Sequence, residues 1–173
     1  MMGNIDWSEL SSSLDLLRMR NGGGWDERSG TVAACQAIER IVGPDALRAS
    51  VDYYLAGHPG AELARSVLWL LHPPSAMERC HEVYLTSPNV EERQSAVELL
   101  RVVADDRVLG WVPSYLSDPD PLIQIWAIGI VDQLLYSGLA EFADCTQIIA
   151  ETEKHSNEAV RERAANLASY REG

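Results

Sequence analysis

The stretch that decides the fold is Asp118-Pro-Asp-Pro-Leu-Ile-Gln-Ile-Trp-Ala-Ile-Gly-Ile-Val131, where an Asp- and Pro-rich turn leads directly into apolar residues at helical spacing. Three further segments align with it without gaps, and a weaker copy begins at Ser29. These segments are residues 58–71, 87–100, 155–168 and 29–42. The five starting points are separated by 29, 29, 31 and 37 residues. Self-similarity at this period is typical of helical-repeat proteins.

Three positions of each copy carry the predicted core. At 100° per residue, the sixth, tenth and thirteenth positions fall on one face of a helix. Apart from Glu92 they are apolar, and the tenth is small or slim, so that two helices can approach closely. The positions are occupied by Ala34, Ile38, Ile41; Leu63, Val67, Leu70; Glu92, Ala96, Leu99; Ile123, Ala127, Ile130; and Val160, Ala164, Leu167.

Between these predicted second helices lie four predicted first helices, over residues 45–56, 75–85, 106–116 and 141–152. Gly and Pro residues mark the turns between them. A further helix is expected over residues 6–20, followed by the Gly-rich loop 21–24. Alternating apolar and polar runs are absent, so no strand is predicted. The sequence therefore predicts one all-α domain over residues 1–173.

Residues 109–131 resemble a HEAT repeat, which commonly has a Pro in its first helix, an Asp-Pro turn, an aliphatic-Arg pair and an Ala. Val160-Arg161 and Ala164 match the second half of that pattern, whereas Gln124 replaces the usual Arg. The period is shorter than the roughly 40–47 residues of standard HEAT units and is similar to the short HEAT-like units of the bilin-lyase type. Over residues 29–171 the resemblance implies a right-handed α-α superhelix, or solenoid, of about five short helical hairpins. It carries little information about function.

The composition narrows the range of partners. The chain has 173 residues, 14 basic and 26 acidic, with a net charge of −12. Nucleic-acid binding depends on Lys and Arg contacts to phosphates, so neither nucleic acid nor an anionic membrane is an expected partner. A basic protein would gain from the negative field. Three widely spaced cysteines and the absence of a basic, apolar leader favour the cytoplasm.

The sequence offers no strong catalytic motif. Phosphate loops, nucleophile elbows and Cys-x-x-Cys pairs are absent. Glu78, Cys80, His81 and Glu82 form the best metal-like cluster, but no second cluster supplies further ligands at usual spacing. Asp120 is better explained as an N-cap. We therefore expect a non-catalytic protein with no metal site and no cofactor.

The face opposite the core stripe is the predicted partner-binding surface, because second helices line the concave side of a solenoid. It combines acids, a Trp and two aliphatic residues. A Trp on a charged face is a candidate interface anchor, although packing against the next repeat is an equally good interpretation of Trp69. The predicted groove comprises Glu62, Arg65, Trp69, His72, Glu91, Gln94, Glu98, Arg101, Leu122 and Ile125.

Three functions follow as hypotheses. The leading one is a protein–protein interaction module, such as an adaptor or an immunity-type protein that blocks a basic toxin. The alternatives are a cofactor-handling enzyme similar to bilin lyases and a relative of the HEAT-like DNA glycosylases. The lyase hypothesis lacks a cysteine that can be assigned to bilin handling, and the glycosylase hypothesis conflicts with the negative charge.

Overall fold

The computed structural model describes residues 27–172, with side chains described from residue 34 to residue 170. Within that range the chain folds into nine α-helices and two 3₁₀ helices, and it has no strand. The α-helices are α1 (Glu27–Val42), α2 (Pro44–Leu55), α3 (Ala61–Leu71), α4 (Pro74–Thr86), α5 (Val90–Val103), α6 (Val112–Leu116), α7 (Pro121–Tyr136), α8 (Phe142–Thr152) and α9 (Glu158–Leu167). The 3₁₀ helices are Asp106–Trp111 and Ala168–Glu172.

The all-α prediction is confirmed for this range. None of the helices between residues 27 and 172 is long and apolar enough to cross a lipid bilayer. The predicted helix over residues 6–20 and the Gly-rich loop 21–24 lie outside the described residues.

The predicted turn chemistry starts three of the second helices. The side chain of Asn89 accepts a hydrogen bond from the amide of Glu91 at the start of α5, and Asn157 does the same at α9. Asp120 accepts from two amides at the start of α7. These bonds satisfy backbone donors that have no partner within the helix. In α3 the N-cap is Gly60, with φ 87°, and no side chain caps the helix.

The first helices lie within about one residue of their predicted bounds, except in the third hairpin. There, residues 106–116 form the 3₁₀ helix Asp106–Trp111 followed by the short helix α6. Pro113 explains the break, because proline has no amide hydrogen and is tolerated in the first turn of an α-helix but not in its interior. The α-helix therefore begins again at Val112, one residue before Pro113.

Helices that follow one another in sequence pack together in pairs. The pairs are α2 with α3, α4 with α5, α6 with α7, and α8 with α9. Second helices also contact the second helix of the next pair, from α3 to α5, α5 to α7 and α7 to α9. On the opposite side, α2 contacts α4. The packing is therefore between neighbours along the chain.

The predicted core stripe is confirmed in the last three copies. The tenth-position residues Ala96, Ala127 and Ala164 are buried, as are the apolar residues at their sixth and thirteenth positions. Glu92, the one polar residue on the stripe, is exposed. Small residues at the contact allow the second helices to lie close together.

The stripe prediction is wrong for the first two copies. Ala34, Ile38 and Ile41 on α1 are exposed, and so are Leu63, Val67 and Leu70 on α3. The core side of α3 is formed instead by the fully buried Leu68. The reason is that α3 packs on α2 and α5 through its Leu68 side, while α1 covers only part of the other side.

The metal-like cluster is divided by the fold. The Nδ1 atom of His81 lies 2.6 Å from the hydroxyl of Tyr115, and the imidazole stacks on Trp111 at 4.3 Å between ring centroids. Cys80 is buried in the core, whereas Glu82 forms ion pairs with Arg79 and Arg48. Among the described residues, no group of three or more His, Cys, Asp or Glu side chains is placed to hold a metal ion.

Neighbouring alanines in α9 test the core assignment. Ala164 is buried where α9 packs on the preceding helices, whereas Ala165 is exposed. We expect Ala164→Asp to lower the free energy of unfolding by at least about 3 kcal/mol, because it buries an unpaired carboxylate. Chemical denaturation measures the change. The control Ala165→Asp makes the same substitution one residue along the same helix, and an equal loss in both variants would contradict the assignment.

Candidate functional site

Glu98, in the middle of α5, is the centre of the predicted groove. Its carboxylate accepts hydrogen bonds from the hydroxyl of Tyr54 at 2.9 Å, from Arg65 Nη2 at 3.2 Å and from Arg101 Nη2 at 3.4 Å. The Glu98 side chain is only 19% exposed. One carboxylate therefore joins α2, α3 and α5, and its charge is balanced within the protein.

Arg65 and Tyr54, two of the groups that bind Glu98, have further interactions. Arg65 also forms a 3.4 Å ion pair with Glu62, whose side chain is 78% exposed. Burial raises the pKa of Tyr54 to about 12, and the neighbouring Glu98 carboxylate reinforces the shift. Tyr54 therefore stays protonated at neutral pH and remains a hydrogen-bond donor to Glu98.

On the other side, Arg101 reaches across to α7. Its guanidinium lies 5.2 Å from the ring centroid of Trp126, a cation–π geometry. A Cβ atom at Gly129 would lie 3.0 Å from Arg101 Cδ and 3.2 Å from Arg163 Nη1. The missing side chain at Gly129 thus makes room for two arginines from α5 and α9. Together with Glu98 and Arg65, these arginines form a row on α3, α5 and α9 that passes over Gly129 of α7.

We define the polar row by the residues that these contacts join: Glu62, Arg65, Glu98, Arg101 and Arg163. Glu62, Arg65, Glu98 and Arg101 all belong to the predicted groove. The row has two carboxylates and three guanidinium groups, and Glu98 pairs with both Arg65 and Arg101. A partner would therefore meet a largely self-neutralised strip rather than a uniformly acidic one.

Trp69 lies beside the polar row and is 49% exposed. It follows Arg65 by four residues in α3, so the two side chains share a face of that helix. Leu122 at the start of α7 is also exposed, whereas Ile125 is half-buried against the core. Trp69 and Leu122 are therefore the apolar groove residues with the most surface left for a partner.

Two other predicted groove residues make structural hydrogen bonds. His72 ends α3 in a left-handed conformation, with φ 43°, and its Nδ1 lies 3.1 Å from the carbonyl oxygens of Val103 and Ala104. Gln94 donates to the Asp120 carboxylate at 3.0 Å. Both side chains connect one hairpin to the next.

Hydrogen-bond donors at the start of α7 determine the direction in which the pKa of Asp120 shifts. Burial would raise its pKa, but hydrogen bonds from the amides of Ile123 and Leu122 and from the side chain of Gln94 outweigh that effect and lower it. A lowered pKa means that the charged form is stabilised in the folded state. Gln94 therefore supports the cap of the following helix, α7.

Glu91 belongs to a different part of the surface. It lines a surface cavity of about 520 Å³ together with Asp52, Arg79 and Glu92. Three carboxylates thus surround one guanidinium, and Arg79 Nε already binds Asp52 at 2.8 Å. The cavity lies between the end of α2 and the start of α5, and it is the more acidic of the two surfaces.

The sequence analysis missed Tyr54 and Arg163; it placed Gly129 on the groove face and Trp126 at the rim or in the core, without predicting their contacts. Tyr54 comes from a first helix, and no spacing within the repeats relates it to Glu98. A signal for Gly129 did exist, because an isolated glycine inside an otherwise aliphatic helix usually has a packing reason. Here that reason is the close approach of Arg101 and Arg163.

Two of the three cysteines have buried thiols. Cys80 and Cys145 are buried, and burial raises the pKa of both thiols, that of Cys145 to about 11. A thiol is a poor nucleophile in that state. Cys35 is half-buried, with its Sγ 3.6 Å from the carbonyl oxygen of Leu70.

Comparison with known proteins finds no match to a protein-family model, to a curated protein sequence or to a solved structure.

Removing the central carboxylate of the polar row tests its structural role. We expect Glu98→Ala to lower the free energy of unfolding by about 2 kcal/mol, because two arginines and the Tyr54 hydroxyl lose a charged acceptor in a half-buried position. Urea denaturation followed by circular dichroism measures the loss.

The matched control is Glu62→Ala on α3, since Glu62 is paired with Arg65 but largely exposed. An exposed ion pair contributes at most about 1 kcal/mol, so this variant should unfold close to the parent. If the two variants lose the same stability, Glu98 does not organise the row.

Proposed function

We propose that this protein is a non-catalytic protein-binding module and that its partner contacts the second helices α3, α5, α7 and α9. In this proposal the paired helices form a right-handed solenoid of HEAT-like hairpins, with these second helices along its concave side. Successive second helices contact each other, which supports a continuous surface of this kind. Such surfaces are used in repeat proteins to bind extended partners.

The observation that carries the proposal is Trp69, which is 49% exposed beside the polar row. Trp is enriched among residues that dominate interface energies, particularly where polar groups surround it and exclude water. Glu62 and Arg65 lie on the same face of α3. A partner that covered the exposed part of the Trp69 ring would place it inside a polar rim, which is the arrangement typical of protein interfaces.

Charge supports a basic protein as the partner. The net charge of −12 gives the protein a field that attracts positive surfaces. Locally, the cavity lined by Asp52, Glu91 and Glu92 has one arginine among three acids and could receive a Lys or Arg side chain. An immunity-type protein that blocks a basic toxin, or an adaptor for a basic protein, fits these features, and we place this activity in the cytoplasm.

The two enzyme alternatives gain no support from the described residues. A lyase that transfers a chromophore would need a reactive group, yet the thiols of Cys80 and Cys145 are buried with raised pKa values. A DNA glycosylase would need a basic groove. Here Arg65 and Arg101 of the polar row are paired with Glu62 and Glu98.

Trp69→Ala tests the proposed anchor. A tagged parent protein is used to capture partners from the native host, and a partner that binds in a fixed ratio is then purified and titrated by calorimetry. We expect Trp69→Ala to weaken that complex by about 2 kcal/mol or more, since the ring is a desolvated contact. Circular dichroism checks that the variant is folded.

Tyr53→Ala is the matched control, because Tyr53 is a similarly exposed aromatic on the first helix α2. It should bind as the parent does. Equal affinity for Trp69→Ala and the parent, or a loss in Tyr53→Ala alone, would show that the partner does not use the second helices.

Charge reversal at Glu62 tests electrostatic attraction. Glu62 suits this purpose because it is exposed, whereas reversal at Glu98 would disrupt the polar row itself. We expect Glu62→Arg to slow association with the same partner, measured by surface plasmon resonance, with a smaller effect on dissociation. The difference should shrink at high salt, and a salt-independent effect would argue against attraction of a basic surface.

A further inference from the structure

Six large aliphatic side chains are exposed on α1 and α3. Leu63 is 71% exposed and Leu70 is 64% exposed, and several large apolar residues exposed together are more informative than one exposed leucine. We call this surface the N-terminal apolar face; it consists of Ile38, Ile41, Val42, Leu63, Val67 and Leu70.

These side chains belong to two helices in contact at one end of the helix stack. α1 packs on α2 and α3, and Cys35 Sγ of α1 lies 3.6 Å from the carbonyl oxygen of Leu70. Leu63, Val67 and Leu70 recur at intervals of four and three residues, so they share one face of α3. Contiguous apolar surface of this kind marks a place where another element packs.

The chain itself supplies a matching element. Twenty-six residues precede α1, outside the described range. Within them, Trp7, Leu10, Leu14 and Leu17 are spaced by three, four and three residues, which places them on one stripe of a helix. The other residues between 6 and 20 are mostly Ser, Asp and Arg. The sequence therefore predicts an amphipathic helix over residues 6–20.

We propose that the helix over residues 6–20 packs on the N-terminal apolar face and completes a hairpin with α1. Residues 21–26 would form the connection, and six residues span at most about 20 Å, which is more than the roughly 8–10 Å between the axes of two packed helices. Connections of this length are ordinary between antiparallel helices. The hairpin would then resemble the pairs α2/α3 and α4/α5.

A tethered segment is favoured over a second copy of the chain. A short flexible connection holds the segment at an effective concentration in the millimolar range, above that of free protein in most solutions. Terminal units of a repeat stack also need a cap whose outer side is polar. The Ser- and Asp-bearing side of the 6–20 helix would provide that side. The inference does not depend on the proposed groove, because Trp69 points about 100° away from Leu70 on α3.

Hydrogen exchange of the full-length chain tests this packing. We expect Leu14→Asp to make the amides of α1 and α3 exchange at least about tenfold faster. The reason is that the variant loses the burial of one leucine, which lowers the free energy of local opening. Leu10→Asp, on the same stripe, should act likewise. Ser12→Asp adds the same charge to the opposite side of the predicted helix and should leave exchange unchanged. Unaltered protection in α5 and α7 shows that the variants remain folded.

A reciprocal variant and the oligomeric state complete the test. Val67→Asp changes the receiving face and should accelerate exchange in α1, with little additional effect when combined with Leu14→Asp. Equal exchange in Leu14→Asp and Ser12→Asp overturns the proposal. It is also overturned if protection of α3 rises with protein concentration as light scattering detects a dimer, since a second copy would then cover the face.

Discussion

Close packing of neighbouring helices around a core with alanine at one repeated position is the constraint on which the rest of the domain depends. Ala96, Ala127 and Ala164 are buried on α5, α7 and α9, which contact one another in turn. A larger residue would push two helix axes apart, since axes 8–10 Å apart leave room only for small side chains at the contact. The large aliphatic residues on either side of these alanines then fill the layer between first and second helices.

The polar row depends on that same closeness. Arg101 of α5 contacts Trp126 and lies over Gly129 on the next second helix, α7. Glu98 binds an arginine from each of α3 and α5. These contacts require the helices to be close neighbours. The proposed binding surface therefore depends on packing in the core. Since the charges of the row are largely paired internally, the specificity of binding would come from shape and from the exposed Trp69.

The sequence predicts this structure best where a residue has a local role. Asn89, Asp120 and Asn157 cap the helices that follow them, as expected from turn chemistry. The apolar stripe is also predicted correctly from the third copy onwards. The functions of Glu98 and Gly129 could not be predicted in this way, because they depend on side chains from other helices. A spacing rule locates a residue on a face but does not show what lies opposite.

The failure of the stripe in α3 has a physical explanation that concerns the whole domain. α7 is apolar on most of its circumference and is buried between α5, α6 and α9. α3 has apolar residues on two sides, with Leu68 buried on one and Leu63, Val67 and Leu70 exposed on the other, but Glu62 and Arg65 make its remaining side polar. A helix that is apolar nearly all round is one that packs on several sides. The two helices differ in their neighbours: α5, α6 and α9 all pack on α7, whereas the helices of the described range leave Leu63, Val67 and Leu70 of α3 exposed.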